Sequence, residues 1–598
     1  MKRTLPLLLL AVLVLPMLPF VALSYAAIGD YDLSIPKDGD VDGSDLAELI
    51  AGAGPDIEGF AASFGQTYLV RLPNILLIIA DDVGLDATTN LYPGLIDTLE
   101  AQYGSGVRGT PASLPNLTDR LASQGMVFSN TWAQPYCSPA RATVITGLFE
   151  DKTQVKAPND PLIYNADPSR RHLTFVKKLQ EAGYSNAMIG KWHLAGSCTG
   201  GTNCTGTLPK QAGFDYYRGH NAAFIPGYWS TANNNNNYPV HWQSTTKAEN
   251  AFDTILAGSV PPRSLPAGSD PVSDPEIAST TYEPVVRAAD TIDWINAHPN
   301  TPWFVWLAFN LSHVTMQNPN MHVPPENMLD SATKTELNTC LGATGQYGAN
   351  PPVVGSCNGK QLHRAMTNAI DTAIGKVLNV VETLGSDTYV IFIGDNGTPM
   401  YGNPMGNQIG NMYLDTTGRG KGSAWESGCR VPLAIRGPGI AAGAQKSAPV
   451  HLADLSATIL MLAGLTPPAQ NYDSTGALVE SDSKSLTPML FGSANDTGRD
   501  PNTGYLLTET NTTSFGTRFL GARNATYKVL CPYSLSDMNN CDFYNLIADP
   551  LEHNTPLTKP GACPVTTCSG HPCTTADPEW HFCWLWEVLN TYSILGTW

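Results

Sequence analysis

Four uninterrupted apolar runs of strand length constrain this chain more than any other feature. They are NILLIIADD (residues 74–82), PWFVWLAFN (302–310), TYVIFIGDNG (388–397) and VPLAIRG (431–437). A strand with one wet face alternates apolar and polar residues. A run that is apolar at every position needs cover on both faces, as in a parallel sheet. Helical spacings lie between the runs: Val285, Ala289, Ile292 and Ile295, then Met366, Ile370, Ala373, Val377, Val381 and Leu384. Strand and helix in alternation specify an α/β fold, with a large, mainly parallel or mixed sheet flanked by helices. Past about residue 505 the pattern shifts to short strands and turns, GYLLTET, RFLGARNATYKVL and CDFYNLIADPLE. A hairpin is expected around Arg523 and Asn524, and a helix over residues 578–589, giving a smaller C-terminal α+β subdomain.

At 598 residues the chain exceeds one compact core. The expected divisions are residues 1–26, 27–70, 71–500 and 501–598. The first is an export signal: Lys2 and Arg3, an apolar run to Leu23, then the small residues Ser24 and Ala26. Its cleavage would leave no membrane span, because no later run reaches ~18 apolar residues. The expected location is the periplasm or the exterior. The second segment includes residues 37–65, which resemble half of an EF-hand or dockerin-type loop. Asp38, Asp40, Asp42 and Asp45 fit late ligand positions, but Ser34 and Pro36 stand where early ligands belong. An acidic linker with a short helix fits the same residues. Residues 229–246, with five consecutive asparagines, read as an irregular loop.

The 12 cysteines also fit an oxidising compartment. Neighbours are Cys198 and Cys204, Cys340 and Cys357, and Cys531 and Cys541, with Cys563, Cys568, Cys573 and Cys583 crowding the tail. Cys137 and Cys429 are left over. A net charge of −18 argues against nucleic acid as a partner, since that needs a basic footprint.

The apolar runs end in polar residues that carry chemistry. Asp81 and Asp82 close the first, Asp395 and Asn396 the third, and His313 follows the second. In a parallel sheet all would meet at the carboxyl ends of the strands, where ligands bind. Acids after strands also form turns and caps. Two such pairs at the ends of two buried strands make an all-oxygen set suited to calcium or magnesium and not to zinc. In IGKWHL (189–194) an extended backbone would put Lys191 and His193 on one face, a cation beside a titratable ring. Lys421 lies in the glycine-rich GRGKGSAWESGCRVP (418–432). In YCSPARATVITG (136–147) a helix is expected, with Ser138 as its N-cap and Pro139 in the first turn.

Cys137-x-Pro139-x-Arg141 followed by Thr146-Gly147 resembles the signature of the sulfatases, members of the alkaline-phosphatase-like superfamily. Five fixed positions arise by chance about once in several thousand chains of this length. ADDVG (80–84), GKWHL (190–194), GFDYY (213–217), AFNLSH (308–313), GDNG (394–397), GKGSAWESGCRVP (420–432), HLADLSATILMLAG (451–464) and YNLIADPLEHN (544–554) resemble family blocks in family order. The resemblance makes residues 71–500 the catalytic domain. It implies that a separate formylglycine-generating enzyme reads Cys-x-Pro-x-Arg and oxidises Cys137 to formylglycine. One hydroxyl of the hydrated aldehyde would attack sulfur, and the other would lose its proton to expel sulfate. Asp81, Asp82, Asp395, Asn396 and residue 137 would hold a calcium ion, with magnesium the lesser expectation. Arg141 would hold the diol and the carboxylates, Lys191 would bind sulfate, and His193 would take the elimination proton. His313 and Lys421 would face the leaving oxygen, one of them as general acid. The expected substrate is a small sulfate ester or a terminal sulfated sugar. A phosphodiester or phosphonate monoester hydrolase of the same superfamily is the alternative reading. A non-catalytic binder of sulfated ligands is a third, should Cys137 stay unconverted. Cys429 departs from the family's usual Gly-Gly.

Overall fold

The computed structural model describes residues 72–595 apart from 108, 164, 166, 197, 200–202, 221–228, 231–239, 244–280, 314–320, 344, 350–351, 385–387, 400–418, 503, 511–518, 533–537, 565–566 and 569–570. The signal, the acidic segment and the centre of the asparagine-rich stretch lie outside these residues. The ends of that stretch are strands, Trp229–Ser230 and Val240–Gln243, which corrects the reading of residues 229–246 as irregular throughout.

A nine-stranded mixed sheet organises the chain. Its strands are β1 (Asn74–Ala80), β2 (Met126–Phe128), β3 (Ser185–Lys191), β4 (Tyr216–His220), β5 (Val240–Gln243), β6 (Trp303–Ala308), β7 (Thr388–Gly394), β8 (Leu433–Arg436) and β9 (Ala444–Lys446), in the spatial order β9-β2-β8-β7-β1-β6-β3-β4-β5. The central strands β7, β1, β6, β3 and β4 are parallel, while β8 runs antiparallel to β7 and β5 to β4. The VPLAIRG run is therefore a buried antiparallel strand. Burial on both faces, which the run does reveal, says nothing of direction.

Both faces of the central strands are covered, which is why their sequences do not alternate. Leu76, Ile78, Val305 and Leu307 pack toward helices α2 (Glu283–Asn296) and α3 (Gly359–Thr383) in one continuous core. On the opposite face Phe175 meets Phe304 edge-on at 5.2 Å, and Trp192 and Phe214 flank Trp306 at 6.3 and 6.4 Å. Each fully buried aliphatic side chain contributes about 1.5–3 kcal/mol. Helix α3 starts from a capping box in which Asn358 and Gln361 satisfy each other's backbone donors.

The register brings the strand ends level. Ala80 pairs with Gly394, Ile79 with Ala308, and Ala308 with Gly190. The next residues on these strands, Asp81, Asp395 and Lys191, therefore emerge along one edge. Helix α1 (Cys137–Thr146) ends on Gly147 in the left-handed region and places its first residue beside Asp81 and Asp82.

The C-terminal region is an antiparallel meander of β10 (Leu506–Glu509), β11 (Phe519–Arg523), β12 (Tyr527–Pro532) and β13 (Asp542–Asn545). Arg523 pairs with Lys528 across the expected hairpin. Helix α4 (Pro578–Leu595), longer than expected, packs on β11 and β12. Disulfides join Cys340–Cys357, Cys531–Cys541, Cys563–Cys583 and Cys568–Cys573, while Cys137 and Cys429 are free and buried. Cys198 and Cys204 face each other across a two-stranded ladder. Among the described residues no helix is long and apolar enough to cross a membrane.

Gly190 sets the approach of β3 to β6. Its φ is +104°, and a Cβ there would lie 1.8 Å from the Ala308 carbonyl oxygen. Gly190→Ala is expected to destabilise the protein by about 3 kcal/mol, read as an earlier transition in urea unfolding.

Candidate active site

Helix α1 begins at Cys137 itself, with Tyr136 extended as the cap residue. The expectation that Ser138 caps the helix is thereby corrected. Ser138 lies inside the first turn, and its hydroxyl donates to the His193 carbonyl at 2.8 Å. The four-residue spacing from Cys137 to Arg141 puts both on one helix face. Arg141 donates from Nε (3.1 Å) and Nη2 (2.9 Å) to Asp395 Oδ2, and from Nη1 (2.6 Å) to the Lys191 carbonyl. One guanidinium thus ties α1 to the ends of β7 and β3.

The Cys137 Sγ lies 3.3 Å from Asp81 Oδ1, and Lys421 Nζ approaches it at 3.4 Å. Burial pushes the thiol pKa up, Asp81 adds to that, and the nearby Lys191 and Lys421 do not reverse it. The thiol is therefore neutral at physiological pH and is a poor nucleophile as it stands. Its Sγ marks the place of an oxygen that conversion to formylglycine would put on the same Cβ.

Asp81, Asp82, Cys137 and His313 present ligand atoms all within 4.8 Å of one another. Asp395 joins them through its Oδ1, which accepts the Asp82 amide at 3.2 Å. Asn396 Nδ2 donates to Asp82 Oδ1 at 2.8 Å. Lys191 Nζ donates to Asp81 Oδ2, and Lys421 Nζ to Asp82 Oδ1. Three carboxylates thus face three fixed cations, Arg141, Lys191 and Lys421, in a buried space. Burial, and then Asp395, push the Asp81 carboxyl up to about 7. Burial also raises Asp395, but Arg141, Lys191 and Lys421 outweigh it and hold that carboxyl below its ordinary range.

The donor set fits a hard divalent cation. Asp82 Oδ2 and Asn396 Oδ1 are buried oxygens with no hydrogen-bond partner among the described residues. Stranding two such acceptors costs stability unless a cation takes them. All the predicted ligands other than Cys137 offer oxygen, the preference of calcium and magnesium.

The two histidines differ. His313 is buried, and its pKa falls well below the ordinary value through desolvation and the charges of Lys421 and Lys191. His193 does not continue the alternation of β3, since the strand ends at Lys191 and His193 has φ +61°. The expected sharing of one strand face with Lys191 is thus corrected. The ring is aimed by Asn159, whose Oδ1 lies 2.9 Å from His193 Nε2. An amide oxygen only accepts, so Nε2 is the donor in this contact. Sequence reasoning missed Asn159, which lies in an unmarked loop, and missed the link made by Ser138 at a variable position of the signature. It also missed His363, whose Nε2 donates to the Asp82 carbonyl at 3.1 Å.

Acids, lysines and a cysteine-initiated helix thus gather at the ends of the parallel strands. The sulfatase family model matches residues 73–465, and the chain belongs to that family. It is 28% identical over 413 residues to N-acetylgalactosamine-6-sulfatase of Rattus norvegicus, covering 66% of this chain and 63% of that protein. It is 26% identical to steryl-sulfatase of Mus musculus, covering 75% of this chain and 68% of that one. The chain thus spans just under two thirds of the length of the N-acetylgalactosamine-6-sulfatase. Among solved structures, Ps i-CgsB shares the fold at 19% identity and a TM-score of 0.52, covering 81% of this chain and 88% of that one. BT4656, solved with D-glucosamine-2-N,6-O-disulfate, shares it at 21% identity and a TM-score of 0.50, covering 81% and 93%.

Replacing Arg141 by methionine would leave Asp395 buried with its main partner gone. The expected loss is about 3–5 kcal/mol of stability, measured by chemical denaturation.

Proposed function

We propose that this chain hydrolyses a sulfate monoester to an alcohol and sulfate, using formylglycine derived from Cys137. The observation that carries the reading is the convergence of Asp81, Asp82, Lys421 and His313 on the side chain of residue 137, inside the Cys-x-Pro-x-Arg helix. Hydrated formylglycine supplies two hydroxyls on one carbon, a nucleophile and the means of releasing sulfate afterwards. A divalent cation, calcium before magnesium, would be held by Asp81, Asp82, Asp395 and Asn396 together with residue 137, and supplies Lewis-acid polarisation of the sulfate group.

The chain's own residues do the rest. Arg141 keeps Asp395 ionised and fixes the end of β3, so that Lys191 points into the site. Lys191 and Lys421 carry the positive charge that binds sulfate and steadies the charge gathering on its oxygens. Burial keeps His313 neutral in the resting site, so the proton for the leaving oxygen is assigned to Lys421, with His313 orienting that oxygen. His193 accepts the proton when sulfate leaves.

The substrate class is a small sulfate ester, with a terminal sulfated sugar favoured by the N-acetylgalactosamine-6-sulfatase relatives. A formylglycine-generating enzyme is the partner in maturation. The four disulfides among the described residues support work in an oxidising compartment, the periplasm or the exterior.

Three measurements test this. Peptide mass spectrometry across residue 137 of the protein from its own host is expected to show a loss of about 18 Da relative to cysteine. Cys137→Ala is expected to lower sulfate-ester turnover by roughly a thousandfold or more with the fold intact; unmodified cysteine in an active enzyme would reject the mechanism. Chelation with EGTA is expected to lower the melting temperature. Calcium at a hundredfold excess over its dissociation constant should restore about 2.7 kcal/mol, and Asp82→Ala should abolish that response.

A further inference from the structure

Asp82 has φ +59°, a left-handed backbone that residues with a side chain seldom adopt. Something must hold it there. The Asp82 amide is held by Asp395 Oδ1, and its Oδ1 by Asn396 Nδ2 and Lys421 Nζ. These three belong to the site itself. The carbonyl is held from behind the site, by His363 Nε2 at 3.1 Å. His363 is fully buried on the core face of α3, a helix that brings no other residue to the predicted site.

The ring is itself braced. Thr367, one turn along α3, lies with its Oγ1 3.4 Å from His363 Nδ1 and 2.8 Å from Ser312 Oγ. The Ser312 amide in turn donates to the Asp81 carbonyl at 2.7 Å. The Asp82 carbonyl is thus held by His363 of α3, and the Asp81 carbonyl by Ser312 of the loop after β6, whose hydroxyl meets Thr367 of α3. With its backbone so fixed and its Oδ1 engaged, Asp82 is left with the buried Oδ2 described above as its remaining acceptor.

We infer that His363 is a positioning residue for the cation ligand Asp82: its Nε2–H pins the Asp82 carbonyl and so presets the orientation in which Oδ2 meets a divalent cation. This rests on the reading of Asp81, Asp82, Asp395 and Asn396 as cation ligands. It adds a residue of α3 that lies outside every motif of the site. Because a neutral imidazole donates one hydrogen bond here, an amide side chain of similar reach can replace it, and an aliphatic one cannot.

The test is calcium titration by isothermal calorimetry on the full chain, comparing wild type, His363→Leu and His363→Gln below their melting temperatures. His363→Leu is expected to raise the calcium dissociation constant roughly ten- to hundredfold. His363→Gln is expected to stay within about threefold of wild type. Wild-type affinity in His363→Leu, even with a lowered melting temperature without calcium, would overturn the inference and leave His363 a packing residue. Equal weakening in both variants would also overturn it, assigning the effect to ring shape and not to the donor. Saturable binding by wild type with either of these outcomes sinks the inference alone. No saturable binding by wild type sinks the cation reading and the inference together.

Discussion

The buried contact between Arg141 and Asp395 is the joint on which the site depends. Its two bonds to one carboxylate oxygen hold the start of α1 against the end of β7, and its third bond reaches the end of β3. Without it a helix and two strands would present their residues independently. An arginine is suited to this and a lysine is not, because a planar fork can serve two separate acceptors in fixed directions. The pair also sets the electrostatics. It keeps Asp395 ionised, and Asp395 in turn is the main charge raising its neighbour Asp81. The arginine of the signature thus shapes the charge state of carboxylates that arrive from other strands.

The sheet contributes levelness. Parallel strands in register deliver residues that are distant in sequence to one edge without any long side chain having to reach. Asp81 and Asp395 are 314 positions apart, yet they follow paired residues of adjacent strands. Covering helices on both faces make this arrangement stiff, and the stiffness is what lets short polar side chains meet at hydrogen-bond distance.

Much of this was legible before any coordinates. The strand ends were legible because a fully buried strand is apolar throughout, so the first acid after it marks the edge. The signature was legible because its residues are contiguous. Other features were hidden for physical reasons. An apolar run reports burial and not direction, so the antiparallel course of β8 left no trace. His193 looked like the next outward residue of a strand, but the backbone turns left-handed there. Ser138 looked like a helix cap because serine favours that role, and tertiary contact gave it another. His363 sits at an apolar position of an amphipathic helix, where a histidine satisfied within the core reads the same as one serving a site.

Several strained or unpaired groups of the structure lie at the sheet edge that carries the site. Five non-glycine residues among those described have positive φ, and Asp82 and His193 are two of them. The buried oxygens of Asp82 and Asn396 lie there too. The frame beneath the edge is locally regular: buried strands are apolar, α3 is capped, and α1 ends on a left-handed glycine. Strain and unsatisfied acceptors cost a few kcal/mol each, a large part of a typical domain's stability. The covered sheet around the edge offsets those costs there. Irregularity at that edge and the regular frame beneath it are then two sides of one requirement, since short polar groups hold unfavourable positions only when a rigid frame leaves them no alternative.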